Sequence, residues 1–583
     1  MLSVIGKLQW FFRLEWKRYA IAIPIMGIAG FIEIIPPKVI GDFIDAVQQR
    51  TLTWQGMIEQ LVLLGSITMV IYVITYVWMY RLFGGAFVVE RMLRSRLMRH
   101  LLKMTPTFYE KHRTGDLMAR ATNDLKDVSM TAGLGILLLV DSTLWMMTLL
   151  VVMLFFVSWE LTIAAILPLP ILALCMRWYG RWMHERFKRA QDAFGHMNDG
   201  VLETIAGVRV IRAFVQEHAA ERQFASVTQD VLDKNIAVAK IDALFEPTMK
   251  MVVGLSYLIG IGYGAYLVFQ SELTVGTLIA FNVYLGMLIW PMFAFGELIN
   301  IMQRGNASLD RVQEIVTAPP DVTEVSMPQR MTTPGDIVFR DATFRYPRSH
   351  VDNLEQINFT LPAGHTLGIV GRTGSGKTTL VKQLLREYPP GQGAITISGV
   401  PIGSIAFDDL KRWIGYVPQI PFLFSRSVRD NILFAADEVE PDQLHEAIEL
   451  AALQKDLDFL PKQLDTRVGE KGVALSGGQK QRLSIARALL KDPHILILDD
   501  ALSAVDAKTE AEITHNIRRA REGKTTLIVT HRMSAVQHVD HILVLDEGRI
   551  IERGTHLELL AKGGWYNEQF NRQQKEHNDD AVG

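Results

Sequence analysis

Residues 366–380 read TLGIVGRTGSGKTTL, and this stretch decides the fold of the domain that contains it. An apolar, strand-like run gives way to three glycines, Gly371, Gly374 and Gly376. Lys377 and Thr378 follow at the head of a helix-compatible run. That is the context a phosphate-binding P-loop needs. Glycines let backbone N–H groups wrap the phosphates, and the helix N-terminus adds a positive dipole end. Lys377 is placed to reach the β- and γ-phosphates, and the Thr378 hydroxyl to bind Mg²⁺. The candidate ATP-binding residues are therefore Gly371, Thr373, Gly374, Ser375, Gly376, Lys377, Thr378 and Thr379.

Outward from the P-loop, strand-like runs alternate with helical ones: IVFRDATFRY, INFTL, ILILDD, TTLIVT and HILVLD. This is the pattern of an α/β domain with a largely parallel core sheet, here over residues 336–575 with a tail at 576–583. ILILDD ends an apolar strand in Asp499, which puts a carboxylate at the carboxyl edge of the sheet, where it would hold the Mg²⁺ shell. Tyr346, at the end of the first strand, is spaced to stack its ring on adenine. Upstream, VTAPPDVTEVSMPQRMTTPG is rich in Pro, Thr and Ser, lacks an apolar period, and reads as an interdomain linker that ends over residues 326–335.

The chain ahead of it is different. A spanning helix needs about 20 mostly apolar residues. Six stretches qualify, near residues 19–40, 60–84, 132–157, 161–179, 249–270 and 276–302. The expected fold class is thus multi-domain: an all-α six-helix transmembrane domain over residues 1–325, then an α/β P-loop ATPase domain. The connections 85–130 and 180–248 are long and carry many Lys and Arg, whereas the opposite side carries only Arg50. The positive-inside rule places both long connections and both termini in the cytoplasm of a multi-pass plasma-membrane protein. Their far turns, elbows that would meet a cytosolic domain, are expected near residues 107–118 and 207–215. The first twenty residues lack a signal-peptide pattern and read as an amphipathic helix at the membrane surface. Glu33, Asp141, Glu246 and Glu297 lie in or near apolar segments. A charge there is costly, so each either faces a wet cavity and a cationic substrate or belongs to a polar pair that fixes helix packing. Net charge is −2 and there is one cysteine, Cys175, so neither a nucleic-acid surface nor an intrachain disulfide is implied.

Leu475-Ser476-Gly477-Gly478-Gln479, just before a helix and about twenty residues ahead of Asp499, matches the ABC signature motif. Gln419 in YVPQ matches the Q-loop, Ser503-Ala504-Val505-Asp506 the D-loop, and His531 the switch histidine; Thr466–Gly472, with Glu470, looks like the X-loop of exporters. With the six-helix layout ahead of them, these residues make the chain resemble a half-transporter of the ABC family with the type IV exporter fold, and within it one subunit of a Bacillus heterodimeric multidrug exporter. The resemblance implies two ATP domains facing head to tail, with ATP and Mg²⁺ between the P-loop of one chain and the signature of the other. Gln419 would join Thr378 and Asp499 around Mg²⁺. Gln419, His531 and Asp500 would serve catalysis, and closure would turn the bundle outward. It also implies a second half-transporter as partner, a heterodimer in preference to a homodimer. Membrane lipids and hydrophobic small molecules would be the other contacts.

One position departs from the family. After the Asp at Asp499 the family usually has Glu, which orients or deprotonates the attacking water; this chain has Asp500. Its carboxylate is withdrawn by one methylene, about 1.5 Å. A displacement of about 1 Å in a catalytic group costs on the order of 100-fold. The expectation is a site that binds ATP and hydrolyses it slowly, beside a signature able to complete a partner's site. Multidrug efflux is the expected function. Lipid or peptide export on the same fold, an importer built on it, and an ATP-gated sensory module are the competing ones; the six spans exclude a soluble ABC ATPase.

Overall fold

The computed structural model describes residues 3–582 except 437 and 470–474. It divides into two compact units, 1–99 with 115–317, and 100–114 with 318–583.

The first unit is helical. Among the described residues, six helices are long and apolar enough to cross a membrane: α1 (Trp16–Gln48), α2 (Trp54–Leu101), α3 (Thr114–Val157), α4 (Trp159–Ala206), α5 (Glu217–Phe269) and α6 (Val275–Thr317). Each contains one of the apolar runs read from the sequence, and most extend well beyond it because the polar connections continue the same helices. Prolines mark the irregularities. α1 is interrupted at Ile34, ahead of Pro36-Pro37, and α4 at Leu167-Pro168. In α3 the hydrogen-bond pattern loosens to π turns at four places, one of them Asp141–Trp145.

Two of the expected features gain detail. The two N-terminal helices, Ser3–Lys7 and Gln9–Leu14, do not simply lie on a surface. Val4, Leu8 and Phe11 are fully buried in one core with Leu309 and Val312 of α6. Lys7 Nζ pairs with Asp310 at 2.5 Å. The range 107–118 expected for the first elbow overlaps a short helix at Pro106–Lys111. α2 ends at Leu101, a short helix spans Pro106–Lys111, and α3 has already begun at Thr114. Pro106 sets that helix start, since proline is pre-organised for a first turn. The second turn comprises Gly207 and a short helix, Val208–Ala213, and leaves Phe214 and Val215 exposed.

Helix contact in the bundle is close where side chains are small. A Cβ on Gly276 would lie 1.9 Å from the Gly41 carbonyl oxygen. Asp45 locks this crossing, accepting from the Gly276 N–H at 2.7 Å and the Thr274 hydroxyl at 2.5 Å. Gly276→Ala is expected to cost about 1–3 kcal/mol or more, because the obstacle is backbone and cannot rotate away. A thermal midpoint of the purified membrane protein unchanged by this substitution would show that the two helices are not held this tightly.

Among its described residues the second unit carries ten strands: β1 (Ile337–Phe344), β2 (Leu354–Leu361), β3 (Thr366–Gly371), β4 (Gln392–Ile397), β5 (Val400–Pro401), β6 (Ile414–Val417), β7 (Ile495–Asp499), β8 (Thr525–Val529), β9 (His541–Asp546) and β10 (Arg549–Gly554). They form an antiparallel sheet, β2-β1-β4-β5, and a six-stranded sheet, β10-β9-β3-β8-β7-β6. In the larger sheet β9, β3, β8, β7 and β6 run parallel and β10 is antiparallel. Side chains alternate between its faces, as a strand requires. Ile495 and Ile497 enter a core with Trp413, Leu380 and Phe339, while Leu496 and Leu498 enter one with Ile485 and Ile513. The helices that matter below are α7 (Lys377–Leu384), α8 (Gly477–Leu490), α9 (Ala507–Ala520) and α10 (Trp565–Val582). The segment 318–336 is tied to this unit: Gln329 N–H donates to Ser404 and Met331 N–H to Asp409.

Candidate nucleotide site and signature helix

The parallel strands deliver the site to their carboxyl ends, the usual place for a ligand in such a sheet. β3 runs into the P-loop, β7 ends on Asp499, and β8 lies between them. Gly374 and Gly376 adopt φ of +84° and +100°, which side-chain-bearing residues resist. A Cβ on Gly371 would meet the Leu545 carbonyl oxygen at 2.1 Å. These glycines curl the loop back over the start of α7. There Lys377, only 6% exposed, donates to the carbonyls of Gly371 (2.9 Å) and Arg372 (2.7 Å). Burial pushes its ammonium pKa down to about 8, against the opposing pull of Asp500 and Asp499.

Asp499 joins the loop to the sheet. It accepts from the Thr378 hydroxyl at 3.0 Å and from the Tyr416 hydroxyl at 3.3 Å. Burial raises its pKa, and those two hydrogen bonds act the other way. Thr378 and Asp499 are thus together and are hard oxygen donors, the set that suits Mg²⁺. Gln419 is directed elsewhere: its Nε2 donates to Asp500 Oδ2 at 3.2 Å. Asp500 sits at φ +50°, its N–H bonded to the Val529 carbonyl at 2.7 Å. Aspartate tolerates that left-handed conformation better than most residues. Burial and the positive charge of Lys377 hold the His531 imidazole below its usual range, favouring the neutral ring.

Tyr346 packs edge-on against Tyr388, with ring centroids 5.0 Å apart, and donates to Thr379 at 3.1 Å. Tyr388 in turn donates to Glu110 of the short elbow helix at 2.7 Å. The first elbow therefore belongs to the same compact unit as the P-loop, two side chains away from the ring predicted to meet adenine.

At the signature, Ser476 caps α8. Its hydroxyl accepts from the Gln479 N–H, and the Gln479 side chain returns a bond to the Ser476 N–H, a reciprocal capping box. Leu475 is buried beneath. The amides of Gly477 and Gly478 stand in the first helical turn, where no intrahelical acceptor exists. A Cβ on Gly478 would lie 2.8 Å from the Ala504 carbonyl oxygen, so the glycine lets the D-loop pass. Asp506 caps α9 by accepting from the Thr509 N–H at 3.0 Å. Glu470 falls outside the described residues.

Two residues that the motifs left out hold these pieces together. Gln481 accepts from the Ala504 N–H (2.9 Å) and donates to Ser503 (3.0 Å), tying the signature helix to the D-loop. Gln573 of α10 donates to the His531 carbonyl and accepts from the Met533 N–H, clamping the switch loop on both sides. Gln481 lies two residues past the signature, so its neighbourhood was a signal. Gln573 lies 42 residues beyond His531 on a polar helix with none. Of the four membrane acids, Glu246 pairs with Lys250 (2.6 Å) and Glu297 with Arg304 (3.5 Å), all four side chains being largely exposed. These two are surface or interfacial ion pairs; Glu33 and Asp141 line a cavity.

Six spanning helices joined to a P-loop sheet with its signature helix define an ATPase coupled to transport. The comparisons with known proteins agree. Residues 21–292 match the ABC transporter transmembrane region and residues 354–503 the ABC transporter ATPase family. The chain is 58% identical over 574 residues to the "Probable multidrug resistance ABC transporter ATP-binding/permease protein YheI" of Bacillus subtilis, covering 98% of each chain. It is 40% identical to the "Multidrug resistance-like ATP-binding protein MdlA" of Escherichia coli, covering 99% of this chain and 97% of that one. A bacterial Atm1-family ABC exporter solved with ATP bound superposes with a TM-score of 0.78 at 25% identity, over 96% of this chain and 98% of that one. The chain belongs to the ABC transporter family, as a multi-pass membrane exporter with a fused ATPase domain.

The lowered Lys377 pKa has a measurable consequence. Phosphate oxygens favour the charged ammonium, so binding ATP raises this pKa above its resting value of about 8. Below that pH the lysine is already protonated and affinity is flat. Above it, binding must take up a proton, and affinity falls by up to about tenfold per pH unit. Titrating the assembled protein with a fluorescent ATP analogue between neutral and alkaline pH checks this. Affinity that stays level through that range would contradict the Lys377 assignment.

Proposed function

We propose that this chain is the weakly hydrolysing half of a heterodimeric multidrug exporter of the bacterial plasma membrane, with its termini and ATPase domain in the cytoplasm. The observation that carries the reading is Asp500 in place of the family's Glu, beside an unbroken LSGGQ signature. ATP and Mg²⁺ would be held at the P-loop, with Thr378 and Asp499 as metal ligands. Gln419, hydrogen-bonded to Asp500, would be a third ligand to that metal. Tyr346 stacks on adenine, and Ser476, Gly477 and Gly478 close over the γ-phosphate held by the partner. Asp500 and His531 position the attacking water, Asp500 poorly. In this respect the chain resembles BmrC, a subunit of a Bacillus heterodimeric exporter.

Transmission to the membrane uses the elbows. Glu110 reports the nucleotide site through Tyr388 and Tyr346. The exposed Phe214 and Val215 of the second turn are the surface offered to the partner chain. The chemistry supplied by bound Mg²⁺ is neutralisation of phosphate charge; the chain's own residues orient and clamp.

The test is dye efflux from inverted vesicles containing this chain alone and together with a half-transporter encoded beside it. ATP-dependent efflux is expected only from the pair, with the pair's ATPase far above that of the lone chain. Full-rate ATPase and efflux from the lone chain would mean a homodimer with two equal sites.

A further inference from the structure

We infer that the ATPase unit holds a second small-molecule site, for a medium-chain aliphatic carboxylate, in a cavity beneath α9. The inference stands apart from the exporter reading and from which substrate the helices carry. The cavity has a volume of about 460 Å³, inside the range of small-molecule sites. It reaches from Gly364 and Thr366, at the head of β3, to Leu502, the residue before the D-loop. None of the P-loop, Q-loop, signature or switch residues lines it.

Its floor is aliphatic. Leu498, Leu502, Ile517, Ile528, Ala535 and Val539 line it and are all buried. Leu498 and Ile528 are neighbours across β7 and β8, so the sheet itself forms one wall. No Phe, Tyr or Trp lines the cavity among the described residues, which leaves no platform for a flat ring to stack on. At about 30 Å³ for each water-sized group, there is room for roughly 15 heavy atoms. That is enough for octanoate and too little for palmitate.

Its charge is basic and unanswered. Arg521 is 5% exposed and donates to the carbonyls of Pro493, His494 (3.1 Å) and Thr525 (2.9 Å). Those are dipoles and not counter-ions. Asp492, the acid whose charge Arg521 feels, is held by Lys524 at 2.5 Å. A buried charge without a counter-ion is costly. The Arg521 Nε and the hydroxyl of Thr526, which also lines the cavity, are buried with no hydrogen-bond partner among the described residues. Arg518 and Arg519 in the last turn of α9 line the cavity too, exposed and without an acid partner among the described residues. Basic residues in a last turn ordinarily complement the helix dipole. A buried guanidinium beside open volume has no such explanation. Of the two acids in the lining, Glu522 is exposed, and Asp540 already accepts from the Thr366 N–H at 2.7 Å. Three guanidinium groups against two carboxylates fit a monoanion. A carboxylate on an aliphatic chain answers both the charge and the floor.

The probe is octanoic acid carrying a terminal diazirine, used on the assembled exporter in lipid nanodiscs, with labelled peptides located by mass spectrometry. Label is expected within residues 498–540, which wall the cavity. Octanoate should suppress it at concentrations at least about tenfold below those needed with octanol, which lacks the charge. Palmitate, standing for a membrane-derived acid, should compete less well than octanoate. Saturating ATP with Mg²⁺ should leave the label in place. Arg518→Glu with Arg519→Glu, two exposed positions outside the ATP machinery, should cut labelling by about tenfold or more with the ATPase rate of the pair kept. Thr526→Val, nearly the same in shape, should weaken competition by octanoate by about 2- to 10-fold. Label confined to other segments, equal competition by octanol, loss of label with ATP, or full labelling of the charge-reversed variant would each overturn the site. Stronger competition by palmitate would overturn the medium-chain assignment.

Discussion

Gly478→Val in this chain is expected to lower the ATPase rate of the assembled pair by roughly 100-fold or more, although the substitution lies far from the chain's own P-loop. Two effects combine. The Gly478 amide is one of the free N–H groups at the start of α8, and a single such donor aimed at developing charge is worth about 10²–10³ in rate. The side chain also has nowhere to go, because even a Cβ meets the Ala504 carbonyl at 2.8 Å. Relieving that contact pushes the D-loop away from Gln481, which holds it through the Ala504 N–H. Phosphate release by the purified pair is the measurement. A pair keeping more than half its parental rate would refute the view that this chain's signature completes the competent site.

Asp500→Glu is expected to act in the opposite direction at the other site. Restoring the methylene moves the carboxylate outward by about 1.5 Å, and recovery of correct placement is worth on the order of 100-fold. Part of that gain is lost to the backbone. Asp500 occupies φ +50°, a conformation aspartate tolerates and glutamate enters at a cost of about 1–2 kcal/mol. A net acceleration of about 3- to 20-fold is therefore expected at this chain's own site. The experiment uses a second half-transporter that carries Glu after its own strand-terminal Asp and changes that Glu to Gln, so that only this site turns over. No rise in phosphate release would mean that Asp500 is not what slows the site.

Both predictions start from residues legible in the sequence, but their sizes do not. Gly371, Gly374, Gly376 and Lys377 could be read directly because a phosphate cradle is built from consecutive backbone groups. The Ser476–Gln479 capping box was likewise local, closing within one helical turn. By contrast, the Gln419–Asp500 bond joins residues 81 apart, and Gln573 reaches the switch loop from a helix with no motif of its own. For the first elbow the sequence defined only a range, 107–118, because polar, helix-compatible composition continues through Pro106 and Thr114 without showing which turn is stable. The N-terminal amphipathic pattern was visible, but the pattern alone does not say whether its apolar face meets lipid or α6.

The membrane acids show the boundary most clearly. Sequence alone determined that a charge stood within or near an apolar run, that six runs were long enough to cross hydrocarbon, and that an ATP-binding engine followed them. Those are properties of contiguous stretches, set by side-chain chemistry and chain length. The partners of Glu246 and Glu297 are close in sequence, on the same helices, but only the tertiary structure decided that Glu33 and Asp141 line one cavity beside three tryptophans, and that Gly41 and Gly276 bring two helices into backbone contact. The reason is geometric: the cost of a buried charge and the room for a Cβ depend on helix rotation and on neighbours more than a hundred positions away.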